Sequence, residues 1–249
     1  MAEPILRIEG LGCQNGAAAT LHGVSLRLEP GTLTALIGPD DTDKQALADT
    51  LAGRRPSHRG TLLLDGRPIT RLGAVDRIRR GLVVTTDPAT QVPAERLIEA
   101  TVVAMAGRAP HRSRWWQRRA RGARLEAARE LIRFVGLGEL ADEAPRTLDP
   151  LGRARWSLAR ALALAPSVLV VDRVTRGLDA AERAVLAGLV ARIAQGGIAV
   201  LWIEDDVELV GEVAEAAFVL AHGRIVAGGP IEVLAHSRVA EAAFLGEAS

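Results

Sequence analysis

Tyrosine is absent from this 249-residue chain, and cysteine and lysine each occur once, as Cys13 and Lys44. A single cysteine excludes an intrachain disulfide and a four-cysteine zinc site, so we expect a reducing, cytoplasmic environment. The formal net charge of +1 excludes bulk attraction of the whole molecule to nucleic acid. No apolar run approaches the roughly 20 residues that span a bilayer, and the first residues show no signal-peptide pattern. A soluble or peripheral protein is therefore predicted.

Short apolar runs separated by glycine, proline and helical stretches predict an α/β fold. The first runs predict a small antiparallel region wrapped around the start of a core sheet, and they are 5–8, 24–28, 33–37 and 61–64. Later runs are almost entirely apolar, as in parallel strands buried on both faces, and they are 82–85, 168–171, 198–203 and 217–220. Between about residues 93 and 150, apolar residues recur at helical spacing without strands. We therefore predict one domain, 1–249, with a helical subdomain inserted at about 93–150.

The stretch GPDDTDKQA, residues 38–46, follows one of these strands and precedes a predicted helix. A strand, a glycine-opened loop with a late lysine, and a helix start form the layout that binds nucleotide phosphates. Lysine suits this place because it is a compact point charge, whereas arginine is a wide planar fork. The three aspartates oppose a triphosphate, so the loop is expected to keep the geometry of a phosphate cradle without its electrostatics. The alternative is that Lys44 is an ordinary surface lysine.

Several further stretches, together with this loop, resemble the ATP-binding cassette subunits of ABC transporters. These stretches are LHGVSLRLEPGTLTALIGP, LARALALAPSVLVVD, GLDAAE and AHGRIVAGGPIEVL. RRGLVVTTD, FVGLGELADE and the pair Ile203-Glu204 resemble the branched-chain amino acid importer type. The resemblance implies a P-loop NTPase-like cassette with a mostly parallel core sheet, an antiparallel β subdomain and an inserted helical subdomain.

The same resemblance implies ligands and partners. ATP and Mg²⁺ are the implied ligands. Transmembrane permease subunits and a second cassette subunit, in a homo- or heterodimer, are the implied partners, and nucleic acid is not expected. The implied location is cytoplasmic, peripheral at the inner face of the cell membrane.

The phosphate loop departs from the family pattern at the residues that contact nucleotide. Gly38 and Lys44 match, but Asp43 stands where the family has glycine and brings a Cβ and a negative charge. One carboxylate–phosphate pair at about 6 Å costs roughly 3 kcal/mol at an effective dielectric of 20. Gln45 lacks the hydroxyl that would ligate Mg²⁺, and Asn15 stands where an aromatic residue would stack on adenine. ATP binding is therefore predicted to be weak or absent.

The positions that handle metal and water also differ. Asp172 matches the Walker B aspartate, a metal ligand, although an aspartate at the end of a strand can also be only a solvated terminus. The next residue, expected to be the glutamate that polarises the attacking water, is Arg173, which cannot accept a proton. Asp87 aligns with the glutamine that in the family senses Mg²⁺ and the attacking water. Asp205 aligns with the switch histidine.

The signature sequence is altered as well. It reads Leu148-Asp149-Pro150-Leu151-Gly152 instead of Leu-Ser-Gly-Gly-Gln, and so loses glycines that let backbone amides approach the γ-phosphate. Asp179 falls in the D-loop, and with Glu182 it also forms a D-x-x-E capping box for the next helix.

The basic stretch RAPHRSRWWQRRARGAR, residues 108–124, contains seven arginines and a tryptophan pair. Aromatic residues among arginines can stack on single-stranded nucleic acid, but such runs are more often solvated faces or membrane-proximal patches. We expect residues 112–121 to lie against anionic lipid or a permease loop.

Three functions follow, from different classes. The favoured one is a pseudo-ATPase: a cassette subunit of a branched-chain amino acid importer with a structural or regulatory role. The first alternative is a functional ATP-hydrolysing subunit that powers amino acid uptake, with Asp87 and Asp205 in metal and base roles. The second is a nucleic-acid-binding regulator that uses the basic stretch.

Overall fold

The structure, a computed structural model, describes residues 3–15, 18–85, 94–107 and 114–234. The strands of the described residues are β1 (Leu6–Asn15), β2 (Ala18–Leu28), β3 (Leu33–Ile37), β4 (Ser57–Leu64), β5 (Arg67–Pro68), β6 (Leu82–Val84), β7 (Val168–Asp172), β8 (Ala199–Ile203), β9 (Ala216–Ala221) and β10 (Arg224–Pro230). The helices are α1 (Asp41–Ala52), α2 (Ala74–Arg80), α3 (Leu97–Gly107), α4 (Arg114–Phe134), α5 (Pro150–Leu162), α6 (Ala180–Gln195), α7 (Val207–Gly211) and α8 (Ile231–Leu234). Short 3-10 turns occur at Gly138–Leu140 and Pro145–Thr147.

The strands form two sheets. An antiparallel sheet has the order β2-β1-β4-β5, and a six-stranded sheet has the order β10-β9-β3-β8-β7-β6. In the larger sheet, β9, β3, β8, β7 and β6 are parallel and only β10 is antiparallel. Its central strands β3 and β8 are buried along their whole length, which explains why they read as unbroken apolar runs.

The chain divides into two compact units. The first contains residues 1–84, 167–173 and 187–249, and the second contains 85–166 and 174–186. Both sheets lie in the first unit. Its core is one cluster of buried apolar side chains, including Leu6, Leu36, Leu47, Val170 and Leu201, which come from both sheets and α1.

The second unit is mainly helical. Helix α3 packs against α4 and α5, and the N–H groups of Leu97 and Ile98 donate to the carbonyls of Glu143 and Ala141. Trp156 on α5 is 4% exposed, in keeping with a core residue.

The predicted fold class is confirmed: a mostly parallel core sheet, a small antiparallel sheet and a helical region. The predicted strands all appear, and β1 and β2 are longer than predicted. The sequence groups the run 33–37 with the runs of the predicted antiparallel region, but its strand, β3, lies in the centre of the parallel sheet. In the described part of the chain, no helix has the length and apolar character needed to cross a bilayer.

Candidate functional site

The segment between β3 and α1 has a different shape from the one that the sequence predicts. Helix α1 begins at Asp41, so Thr42 and Asp43 are already helical. Asp40 is the N-cap, and its carboxylate accepts the N–H of Thr42 at 2.7 Å, while its carbonyl accepts the N–H of Lys44 at 3.3 Å. The Thr42 and Lys44 N–H groups, which a phosphate cradle would direct at its ligand, are thus already bonded within the chain. At these two donors the loop differs from the cradle that the sequence predicts.

Lys44 is a buried structural cation. Its side chain is 2% exposed, and its ammonium donates to the carbonyl of Gly38 at 2.6 Å and to the carboxylate of Asp205. Asp41 lies 3.4 Å from the same nitrogen. The alternative of a surface lysine is thus wrong, and the ammonium that should contact phosphate is neutralised by the chain's own carboxylates.

Arg173 lies beside the Walker B aspartate and bonds to both sides of the site. Its Nε donates to Asp172 at 2.9 Å, and its Nη2 donates to the Gln45 side-chain oxygen. Its Nη1 lies 3.8 Å from Asp41. The side chains of Arg173 and Asp172 are only 12% and 11% exposed, so Asp172 is not a solvated strand terminus. Arg173 has φ of +45°, a left-handed conformation that costs a non-glycine residue on the order of 1–3 kcal/mol.

Sheet order explains how these residues meet. Lys44 follows β3, Arg173 follows β7, and Asp205 follows β8, the strand that lies between them. Parallel strands end at the same edge, so residues distant in sequence come together there. The buried carboxylate of Glu204 fixes the backbone at the switch position, Asp205, because it accepts the N–H groups of Asp205 at 2.9 Å and Asp206 at 3.4 Å.

Magnesium does not fit this arrangement. In the family, the ion would bind between the positions of Gln45 and Asp172, and the guanidinium of Arg173 bonds to both side chains. A divalent cation beside the Arg173 guanidinium would meet repulsion and find the Asp172 carboxylate already engaged. Among the described residues, no group of three or more histidine, cysteine or acidic side chains is placed to hold a metal.

Asp43 has a structural role. Its side chain is buried, and Oδ2 accepts the N–H of Gly223, in the turn between β9 and β10, at 2.5 Å. Burial raises the pKa of the Asp43 carboxyl above its usual 3.8, more than the hydrogen bond from Gly223 lowers it. Gly38 is required for close approach, since a Cβ there would lie 2.0 Å from the Leu220 carbonyl of β9. Both residues therefore secure α1 and β3 against the end of β9.

The altered signature lies at the start of α5, in the second unit. Asp149 is its N-cap and accepts the N–H of Gly152 at 2.5 Å, with Pro150 and Leu151 in the first turn. The carboxylate that caps the helix is placed where a helix N-terminus would attract an anion. The N-terminus of α5 therefore already has a carboxylate of the chain as its partner.

The predicted capping box is also present. The Asp179 carboxylate accepts the Glu182 N–H at 2.8 Å, and the Glu182 carboxylate accepts the Asp179 N–H at 3.0 Å. These reciprocal bonds begin α6.

Some predicted residues lie outside the described part of the chain. Asp87 is one of them, as are the side chain of Asn15 and the side chains of 114–121 in the basic stretch; residues 108–113 of that stretch are not described either.

Sequence reasoning missed the contributions of Asp40, Asp41 and Asp149. It assigned Asp40 and Asp41 only repulsion of phosphate, whereas Asp40 is a cap and Asp41 lies near both Lys44 and Arg173. Local signals were available: aspartate immediately before a helix is a favoured N-cap, and Asp-Pro at 149–150 places proline at the first helical position.

Comparisons with known proteins agree with the fold. Residues 21–176 match the family model described as ABC transporter. The chain is 33% identical over 244 residues to the hemin import ATP-binding protein HmuV of Myxococcus xanthus, covering 94% of this chain and 88% of that protein. It is 28% identical over 258 residues to the high-affinity branched-chain amino acid transport ATP-binding protein BraF of Pseudomonas aeruginosa, covering all of both.

Coverage of other relatives is partial. The chain spans 44% of the length of the ribose import ATP-binding protein RbsA 2 of Streptomyces avermitilis. A solved ATP-binding cassette of an ABC transporter in its ADP conformation has a TM-score of 0.84 and 22% identity, covering 99% of this chain and all of that one.

Proposed function

The chain belongs to the ABC transporter family, and from that premise we propose that it is a cassette subunit of an importer that binds ATP weakly or not at all and does not hydrolyse it. Its role would be structural or regulatory: to dock on a transmembrane permease at the inner face of the membrane and to pair with a second cassette subunit.

One observation carries this proposal. The Arg173 guanidinium bonds to both Gln45 and Asp172, at the place where the family binds magnesium. Any nucleotide–magnesium complex would have to break this contact and the ion pair between the buried Lys44 and the half-exposed Asp205. Breaking either contact is costly because it leaves a buried cation without its partner.

The alternative of a working ATPase has weaker support. Arg173 cannot accept a proton, and Asp205, the alternative base, is paired with Lys44.

We propose that the transporter imports branched-chain amino acids. The support is the match to BraF from end to end and the stretches RRGLVVTTD and FVGLGELADE. The other relatives named above act on hemin and ribose.

A calorimetric titration with MgATP tests the proposal. We expect no binding with a dissociation constant below about 100 μM, a free energy of about −5.5 kcal/mol. The matched control is Lys44→Met, with its folded state checked by circular dichroism, and it should give the same isotherm as the wild type. Tighter binding that disappears in Lys44→Met would show that the loop holds phosphate and would refute the proposal.

A further inference from the structure

A second feature of the first unit is a cavity of about 500 Å³ beyond the C-terminal end of α1, lined also by residues of β4 and of the segment that precedes α2. Five arginines and one histidine line it: Arg54, Arg55, His58, Arg59, Arg71 and Arg77. Among the described residues of the lining, none is an aspartate or a glutamate. In a chain of net charge +1, this is a marked local excess of positive charge.

Only one of these arginines has a carboxylate partner in the described part of the chain. Arg54 pairs with Asp49 at 2.9 Å. Arg59 and Arg71 are exposed and pair with no carboxylate of the described residues. The Arg55 Nη1 donates to the Gln14 carbonyl at 3.1 Å, while its Nε is buried without a hydrogen-bond partner. Arg55 therefore adds positive charge to the lining without an accessible donor at Nε.

Arg77 adds charge to the cavity without offering donors. Its side chain is buried, and its donors go to the carbonyls of Leu72, Thr50, Leu51 and Thr70. Burial lowers the pKa of Arg77. Carbonyl oxygens satisfy its hydrogen bonds but carry no full negative charge, so its positive charge still acts on the cavity.

Backbone packing helps to position Arg59. A Cβ on Gly12 of β1 would lie 2.6 Å from the Arg59 Nε, so the arginine side chain lies directly over the glycine. Glycine at this position therefore leaves room for the Arg59 side chain against β1.

We propose that this cavity binds a compact anion with at least two phosphate groups. Arg59 and Arg71 are exposed and pair with no carboxylate of the described residues, so a ligand with several negative charges would balance them, and arginine binds phosphate oxygens through paired N–H donors. A volume of about 500 Å³ is in the range of small-molecule sites. The site is distinct from the Lys44 and Arg173 cluster, because α1 separates them by roughly 15 Å along its axis.

Calorimetry with sodium tripolyphosphate at constant ionic strength is the test, with sodium sulfate as the weaker anion. We expect saturable one-to-one binding of tripolyphosphate and a rise in melting temperature with its concentration. The double variant Arg59→Gln, Arg71→Gln should bind at least tenfold more weakly. The matched control, Arg27→Gln with Arg133→Gln, removes two exposed arginines outside the cavity and should bind as the wild type does.

Three outcomes would overturn the proposal. They are absence of saturable binding, equal weakening in the cavity and control variants, and affinity for single-stranded oligonucleotides that exceeds that for tripolyphosphate and grows with length. The last would identify an extended nucleic-acid surface. The cavity variant also keeps the two proposals separate, since ATP bound in this cavity would be lost in it but retained in Lys44→Met.

Discussion

At the scale of single residues, Lys44 and Arg173 bond to side chains and carbonyls of the chain itself. Two cations lie among three carboxylates, those of Asp41, Asp172 and Asp205. Neutralisation by these carboxylates allows the two cations to lie at low exposure, because a buried ion needs a partner of opposite sign.

Replacement of Arg173 tests this balance. Arg173→Met should destabilise the protein by about 1–2 kcal/mol, and Arg173→Glu by about 2–4 kcal/mol, because the second change adds a carboxylate to those already there. Urea unfolding of both variants measures the difference. Equal destabilisation would mean that packing of the side chain, and not its charge, is what matters.

Asp43→Asn is expected to stabilise the protein. Burial raises the Asp43 pKa above 3.8, so the folded state loses stability as the pH rises from that value through the folded pKa, while the unfolded state is already ionised. Asparagine keeps an acceptor for Gly223 and removes this penalty, and a gain of about 0.5–2 kcal/mol at pH 7 is expected.

Unfolding measured at several pH values checks the sign. The advantage of Asp43→Asn should grow from about pH 4 to pH 7. The control is Asp76→Asn, an exposed carboxylate on α2, whose effect should stay within about 0.5 kcal/mol. A variant less stable than the wild type at pH 7 would show that the Asp43 charge is favourable.

At the scale of elements, the altered phosphate loop and the altered signature both lie at the start of a helix. α1 and α5 each begin with an aspartate N-cap, Asp40 and Asp149. A helix N-terminus that carries its own carboxylate already has an acceptor and a negative charge, and it has less to gain from a bound phosphate.

Asp149 allows a direct test at α5. Asp149→Ala should lower the free energy of unfolding by about 0.5–2 kcal/mol, because the Gly152 N–H loses its acceptor. Asp149→Ser, which retains an oxygen acceptor, should lose only part of that amount. Denaturant titrations give both values. A serine variant as unstable as the alanine variant would show that the cap depends on charge and not on the acceptor.

At the scale of the whole molecule, ATP hydrolysis is expected to return only when several residues are reverted together. Arg173→Glu alone supplies a base without bound nucleotide, and Asp43→Gly alone also removes the contact to Gly223. Only a combined variant, Asp43→Gly, Gln45→Ser, Arg173→Glu and Asp205→His, should release phosphate above background when paired with a cassette of intact signature.

Phosphate release is measured with each variant mixed with a partner whose own Walker B glutamate is removed. The wild type and the two single variants serve as controls and should stay at background. Turnover by any of the three would contradict the pseudo-ATPase assignment.

Much of the fold follows from the sequence itself. Unbroken apolar runs identified the buried parallel strands, and turn residues separated them, since these patterns reflect local burial and backbone preference. The family motifs, read in order, identified the cassette and the positions where its residues differ from the family pattern. The capping box of Asp179 and Glu182 was predicted for the same reason: its partners lie three residues apart.

The contacts that define the site were decided only by tertiary structure. Gln45 and Arg173 are 128 residues apart, and Lys44 and Asp205 are 161 apart. They meet because β8 lies between β3 and β7, an order that the apolar pattern does not encode. Alignment of motifs shows that an arginine replaces a glutamate, but only the common edge of three parallel strands shows that this arginine bonds across the site to Gln45.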